Sequence, residues 1–468
     1  MNDLSSLQAG IQARMKSRSM GLKLMVVCVL ALIMVIPALF VEGLISERSQ
    51  RAAEVVKEIS DQVGGQMTFL GPTLAIPYTI PPHSPTEAAA HGVYVVFPAR
   101  ASAQAKTSTQ ERRRSLFKVP VFETDLQLGG DFDLSGTPAN APQGAELDWS
   151  HAEILVGVSD ARGALADATL TADGKAATLA PAEVADSFWM KSGQGEAPDK
   201  LTLFSVDAGE LAKPDARFSV TSALRFSGAQ RLAVLAYGKT THLVVNGDWP
   251  NPSFDGGFLP VNRSVTDHGF AAEWSVPFIA RGVAAEGRSD VINGLSATAL
   301  GVSFVEMADP YQSVTRSMKY VLLFLGLIFL SYFIFEATTG KRVHPAQYIL
   351  VGVAQIIFYL LLLSLAERIG FDFAFLAAGL ATVGLLSANA GWIFASRREG
   401  LKALAVFTLL YTLIYMLLRL EDNALLVGAI ASFMAVAAAM YLTRRIDWYS
   451  SMQVKDATQE RAAPERPA

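Results

Sequence analysis

Cysteine is almost absent from this 468-residue chain: the one thiol, Cys28, falls inside the first long apolar run. The polar stretch between about residues 45 and 315 therefore has no thiol, which excludes a disulfide framework or a cysteine-based metal site there and fits an oxidising compartment. Histidine is also scarce, with six residues scattered singly. No HExxH, GxSxG or Walker phosphate loop is found, so the local signatures of zinc proteases, serine hydrolases and P-loop enzymes are missing. Neither a cofactor nor a metal is expected. Charge is sparse as well. A net charge of -4 gives no footing for a nucleic-acid partner. With 18% charged and 51% hydrophobic residues, the chain lies on the apolar side of soluble composition.

The apolar excess is concentrated near the N-terminus and in the last third. Six runs are long enough to cross a hydrocarbon core of about 30 Å as helices: residues 22–41, 320–338, 346–366, 373–395, 401–418 and 424–443. The first is too long, and too poor in small residues at its end, for a cleaved signal peptide, so an uncleaved anchor is expected. Between the second and third runs lies a short turn with Lys341, Arg342 and His344, and Pro345 stands where a helix can begin without an amide hydrogen. Residues 1–21 are basic, with apolar residues at helical spacing that suit a short surface helix or a cytoplasmic tail. Residues 444–468 form a second tail whose end, rich in Ala, Pro and charge, is expected to be disordered.

From 42 to 65, Leu44, Ala52, Val55, Val56, Ile59 and Val63 recur on one side of a helix, Glu47 and Arg51 form an i,i+4 pair, and Gly64-Gly65 supplies a stop. The expectation is a helical stalk. From 66 to 315 the period changes to short runs rich in Val, Leu, Phe and Tyr, separated by Gly, Pro, Asn and Asp. These predict an all-β antiparallel sandwich or barrel-like domain inserted into a six-helix membrane protein. Pro72 and Pro77 place its first strand at an edge or a bulge.

Basic residues mark alternate turns: Arg14, Lys16, Arg18 and Lys23, then Lys341 and Arg342, then Arg397, Arg398 and Lys402, then Arg444 and Arg445. By the positive-inside rule both termini are cytoplasmic, and residues 45–315 lie on the far side, the periplasm of a Gram-negative cell.

Several stretches together resemble the CreD family of bacterial inner-membrane proteins: LGPTLAIPY, VGVSDARG, WPNPSFDGGFLP, DPYQSVTRSMKY, FEATTGKRVHPAQYILVG and IDWY. The resemblance runs from the first span to Tyr449 and implies a role in envelope integrity and β-lactam response under a two-component system. It implies no reaction, ligand or catalytic residue.

The candidate residues fall into two groups. In the β-domain, Asp160 and Arg162 follow a strand and suit either a polar ligand or a clamp on a neighbouring strand, while Trp249, Phe254 and Phe258 lie in a proline-stiffened loop that suits sugar or protein contact, or plugging of a sandwich end. In the bundle, Glu336, His344 and Gln347 are placed to meet at the mouth of the basic hairpin. Glu367, with Arg368, Asp372, Arg419, Glu421 and Asp422, suits interhelical ion pairs, and Asn389 suits a hydrogen bond across a helix interface. Scattered carboxylates would leave no sequence signature, so a periplasmic hydrolase is the third reading. A transporter or lipid-handling bundle is the second. The first is a non-enzymatic sensor or scaffold whose partners are the lipid bilayer and an envelope protein or peptidoglycan-related ligand.

Overall fold

The computed structural model describes residues 20–82, 88–114, 117–182, 201–304, 310–339, 341–419 and 424–444. Outside these lie Arg14, Lys16, Arg18, Glu421, Asp422, Arg445, the IDWY stretch and the C-terminal tail. The chain divides into two compact units, Ala52–Met307 and the combination of Met1–Arg51 with Ala308–Ala468.

The first unit is built of two sheets. One has the strand path Pro252–Gly256, Ala299–Phe304, Arg231–Leu235, Met67–Ile80, Glu153–Val158, Thr202–Asp207, Ala180–Pro181, with three short strands off this path. The other runs Asn262–Thr266, Gly269–Val276, Thr240–Gly247, Arg100–Arg114, Phe117–Asp133, Arg217–Ala229, Thr169–Ala172, Lys175–Thr178. Alternation explains the second sheet. Along Arg217–Ala229, Phe218, Val220, Leu224 and Phe226 are buried while Arg217, Ser219, Thr221 and Arg225 face out, as a period of two requires. The inner faces of both sheets share one contiguous core, in which Phe226 of the second sheet meets Phe69 of the first edge-on at 5.5 Å.

The purely antiparallel expectation is corrected in two places. Met67–Ile80 pairs in parallel with Arg231–Leu235, and Arg100–Arg114 pairs in parallel with Thr240–Gly247. Parallel neighbours need a long connection, and each of these pairs is separated by more than a hundred residues, so no local pattern reveals them. Met67–Ile80 is a central strand rather than an edge. The register shift between Leu70 and Thr73 absorbs Pro72 as a bulge, since proline offers no amide to the ladder.

The second unit is helical. We label its helices α1 (Met20–Ile33), α2 (Val35–Gln62, whose last residues belong to the β-unit), α3 (Pro310–Met318), α4 (Val321–Thr339), α5 (Pro345–Ile369), α6 (Phe371–Ile393), α7 (Arg397–Arg419) and α8 (Ala424–Thr443). Five segments are long and apolar enough to cross a membrane among the residues described: Gly21–Gln62, α4, α5, α6 and α7. The break between α1 and α2 follows from Pro37, which has no amide hydrogen to give the carbonyl of Ile33 one turn earlier. Val27, Ala31, Met34, Ala38 and Val41 form a buried stripe at spacings of four and three along this segment. Gly352 of α5 admits Met34: a Cβ there would lie 2.7 Å from Met34 Cγ. Gly391 and Gly400 similarly let α6 and α7 approach closely near their shared turn.

Candidate functional site

The most strongly built polar site of the bundle centres on Glu336, in the last turn of α4. Its side chain is 4% exposed, yet both its oxygens accept hydrogen bonds, from three donors in all. Lys23 of α1 donates its ammonium to Oε1 and forms an ion pair with it. The backbone amide of Val343 donates to Oε1 at 3.1 Å, and the Tyr348 hydroxyl of α5 donates to Oε2 at 3.2 Å. Three chain segments, including two that are 313 positions apart in sequence, therefore converge on one carboxylate. The Lys23 side chain is itself 27% exposed, so the pair is only partly withdrawn from solvent. Burying the charge without these partners would cost several kcal/mol, roughly 3 to 5.

The other residues of the hairpin mouth have different tasks. His344 is the N-cap of α5, where its Nδ1 accepts from the Ala346 amide at 3.2 Å and its ring is exposed. Gln347 is half-buried, and its backbone amide closes the first turn on the His344 carbonyl. Lys341 donates to the carbonyl of Phe394 and so ties this mouth to the end of α6. Glu336 is thus joined by Lys23 and Tyr348, while His344 serves the helix start.

Farther along the bundle, Tyr332 donates to the Leu386 carbonyl at 2.7 Å and accepts from Asn389 at 3.4 Å, a hydrogen bond between α4 and α6. Tyr411 of α7 donates to Gln355 Oε1 of α5 at 2.9 Å. Gln355 Nε2 and the Tyr359 hydroxyl are buried without a partner among the described residues. At the opposite end, Glu367 accepts from Tyr311 of α3 at 2.9 Å, and Arg419 pairs with Asp372.

In the β-unit, Asp160 and Arg162 turn on each other. Asp160 accepts from the Arg162 amide at 2.9 Å and from its guanidinium at 2.6 Å, closing a one-turn 3₁₀ helix over Ala161–Gly163. Ser227 donates to the carbonyls of Val63 and Gly163, at 2.9 and 3.3 Å, and a Cβ on Gly163 would sit 2.4 Å from the Ser227 carbonyl. The end of α2 is thereby fastened to the Arg217–Ala229 strand, with Ile59 and Val63 packed on Val119, Val121 and Ala229.

The proline-rich aromatic stretch also differs from a free loop. Its middle forms the strand Pro252–Gly256, paired with Ala299–Phe304. Phe254 packs edge-on against Trp274 at 5.9 Å, Trp274 donates to the Phe258 carbonyl at 3.0 Å, and Trp249 packs on the core. These aromatics pack against the core of the β-unit, while Leu259 and Val261 are each more than two-thirds exposed. Aromatic content pointed to the stretch but not to its inward orientation.

Sequence reasoning placed Glu336 correctly at a helix end but took Lys23 only as an orienting charge. The available signal was a lone lysine at the start of an apolar run, and nothing local pairs it with a residue so distant. The five apolar segments with the inserted two-sheet unit define a multi-pass membrane protein with a large extramembrane β-domain. The family model described as inner membrane protein CreD matches residues 19–449. The inner membrane protein CreD of Escherichia coli (strain K12) is 31% identical over 431 residues, covering 90% of this chain and 91% of that one. The chain belongs to the CreD family and is a multi-pass protein of the inner membrane.

Proposed function

We propose that this protein is a non-enzymatic scaffold or sensor of the cell envelope, with its β-domain in the periplasm and both termini in the cytoplasm. The observation that carries the reading is the Glu336 junction. The β-domain is inserted between the first and second apolar segments, and Lys23 with Glu336 ties those two segments to each other. Such a tie fastens the two flanking segments to each other at the ends remote from the inserted domain, as suits a bundle that must stay together while the domain is held or pulled.

In this reading α8 is a sixth span, which returns the tail with Arg444 to the side of Lys23, Lys341 and Arg397. Binding by the β-domain to an envelope protein or a peptidoglycan-related ligand would act on the bundle through α2 and α3. The family's association with envelope integrity and β-lactam response gives the setting.

The exposed pair Leu259 and Val261 is the place to seek that partner, because Phe254 and Phe258 are engaged inside. A photoreactive residue at Leu259, illuminated in living cells, is expected to capture a specific envelope protein or glycan. The same probe at Phe254 is expected to give mainly intramolecular products. Capture of nothing but phospholipid from Leu259 would contradict the periplasmic binding role.

A further inference from the structure

Arg281 is 3% exposed and ends the four-residue turn Phe278–Arg281, which is bounded by Pro277 and by Gly282 in the left-handed region at φ 71°. Its guanidinium carbon lies 4.3 Å from the centroid of the Phe97 ring, itself 1% exposed. The atoms Nε, Nη1 and Nη2 are all buried, and none has a hydrogen-bond partner among the described residues. Burial draws the pKa of this side chain down to about 10, with no described carboxylate countering the shift, and the group is still a cation at neutral pH.

A guanidinium presents a weakly hydrated face and an edge of five N–H donors in one plane. Phe97 satisfies the face. It leaves the edge unsatisfied, although that edge carries the whole hydrogen-bonding demand of the charge. A desolvated cation over an aromatic ring gains less than an uncompensated buried charge costs. Among the described residues, the site lacks an anionic acceptor in the plane of the guanidinium.

We propose that the Arg281 edge is a binding site for a single carboxylate group of a ligand of the β-domain. A carboxylate matches the fork with two parallel N–H···O bonds and brings one negative charge to one positive charge. A phosphate dianion would bring a second charge into a site whose only described cation is Arg281, so it fits less well. The turn that carries Arg281 also exposes Phe278 and Ile279, the latter 92% exposed, and these offer apolar contact to the rest of the ligand. For the carboxylate to enter, the turn between Pro277 and Gly282 must move aside. The site lies within the β-unit and does not depend on which side of the membrane that unit occupies.

The test uses the full-length protein in detergent, with propionate as the probe and propionamide as its neutral counterpart. Propionate is expected to raise the melting temperature of the β-domain by about 4 °C at saturation, and propionamide is expected to leave it unchanged. N-acetylalanine distinguishes a free small acid from the end of a peptide: tighter binding than propionate assigns the site to a peptide terminus, weaker binding to a free acid. Arg281→Met is expected to abolish the response. If that variant does not fold, Arg281→Lys, which keeps the charge and loses the fork, is expected to weaken propionate binding about tenfold. The proposal is overturned by no response to propionate, by an equal response in Arg281→Met, by unchanged affinity in Arg281→Lys, or by phosphate binding as tightly as propionate.

Discussion

Lys23→Met is expected to destabilise the helix bundle by about 3 kcal/mol, because it removes the cation and leaves the Glu336 carboxylate enclosed. The reverse change is milder. Glu336→Gln keeps an acceptor near the Val343 amide, and the freed Lys23, already partly exposed, extends its ammonium toward the interface, so about 1 kcal/mol is expected. The double variant Lys23→Met/Glu336→Gln has no buried charge and should recover most of the loss of the first, ending about 1 kcal/mol below the parent, a coupling of about 3 kcal/mol. Reversible unfolding of the full chain in bicelles measures all three. A Lys23→Met variant no less stable than Glu336→Gln would mean that the ion pair does not join the first segment to α4.

The second large effect is expected at Gly71. A Cβ at this position would stand 2.3 to 2.5 Å from ring atoms of Tyr237, and the ring has nowhere to go. Tyr237 is fully buried, and its hydroxyl is directed at the carbonyls of Ser102 and Gly129 in the facing sheet, 2.9 Å from each. Gly71 lies in the bulge between Leu70 and Thr73, so shifting the strand would disturb its pairing with Glu153–Val158. Gly71→Ala is expected to cost about 3 kcal/mol. Tyr237→Ala opens a cavity and costs a similar amount. The two together should cost little more than Tyr237→Ala alone, because the clash disappears with the ring. Additive losses, or a Gly71→Ala protein that melts as the parent does, would show that the sheets yield at this contact.

These two positions show what the sequence makes legible. The apolar segments and the change of period at the β-unit are local features, and each is written in consecutive residues: the stripe of Val27, Ala31, Met34, Ala38 and Val41, or the alternation along Arg217–Ala229. Contacts between distant residues are not written that way. Gly71 reads as a turn signal and Tyr237 as one aromatic among many, and only the two-sheet packing reveals that one makes room for the other. The same holds for Lys23 and Glu336, and for the parallel pairing of Arg100–Arg114 with Thr240–Gly247. Asp160 and Arg162 were recognisable as a charged turn, and they pair with each other across it. Trp249, Phe254 and Phe258 were recognisable as a cluster, but composition does not distinguish an aromatic that faces a partner from one that closes its own core. Arg281 gave no signal, since one arginine after FIA resembles any surface turn until its neighbours bury it.

The proposed role depends on the β-domain and the Glu336 junction lying on opposite sides of the inner membrane. In a Cys28→Ser background, single cysteines introduced by Leu259→Cys and by His344→Cys provide the direct measurement: labelling with a membrane-impermeant maleimide in cells whose outer membrane alone has been permeabilised. The account predicts that the cysteine at 259 is labelled in those cells and that the one at 344 is labelled only after the inner membrane is broken. Labelling of both before rupture, or of the cysteine at 344 alone, would contradict it.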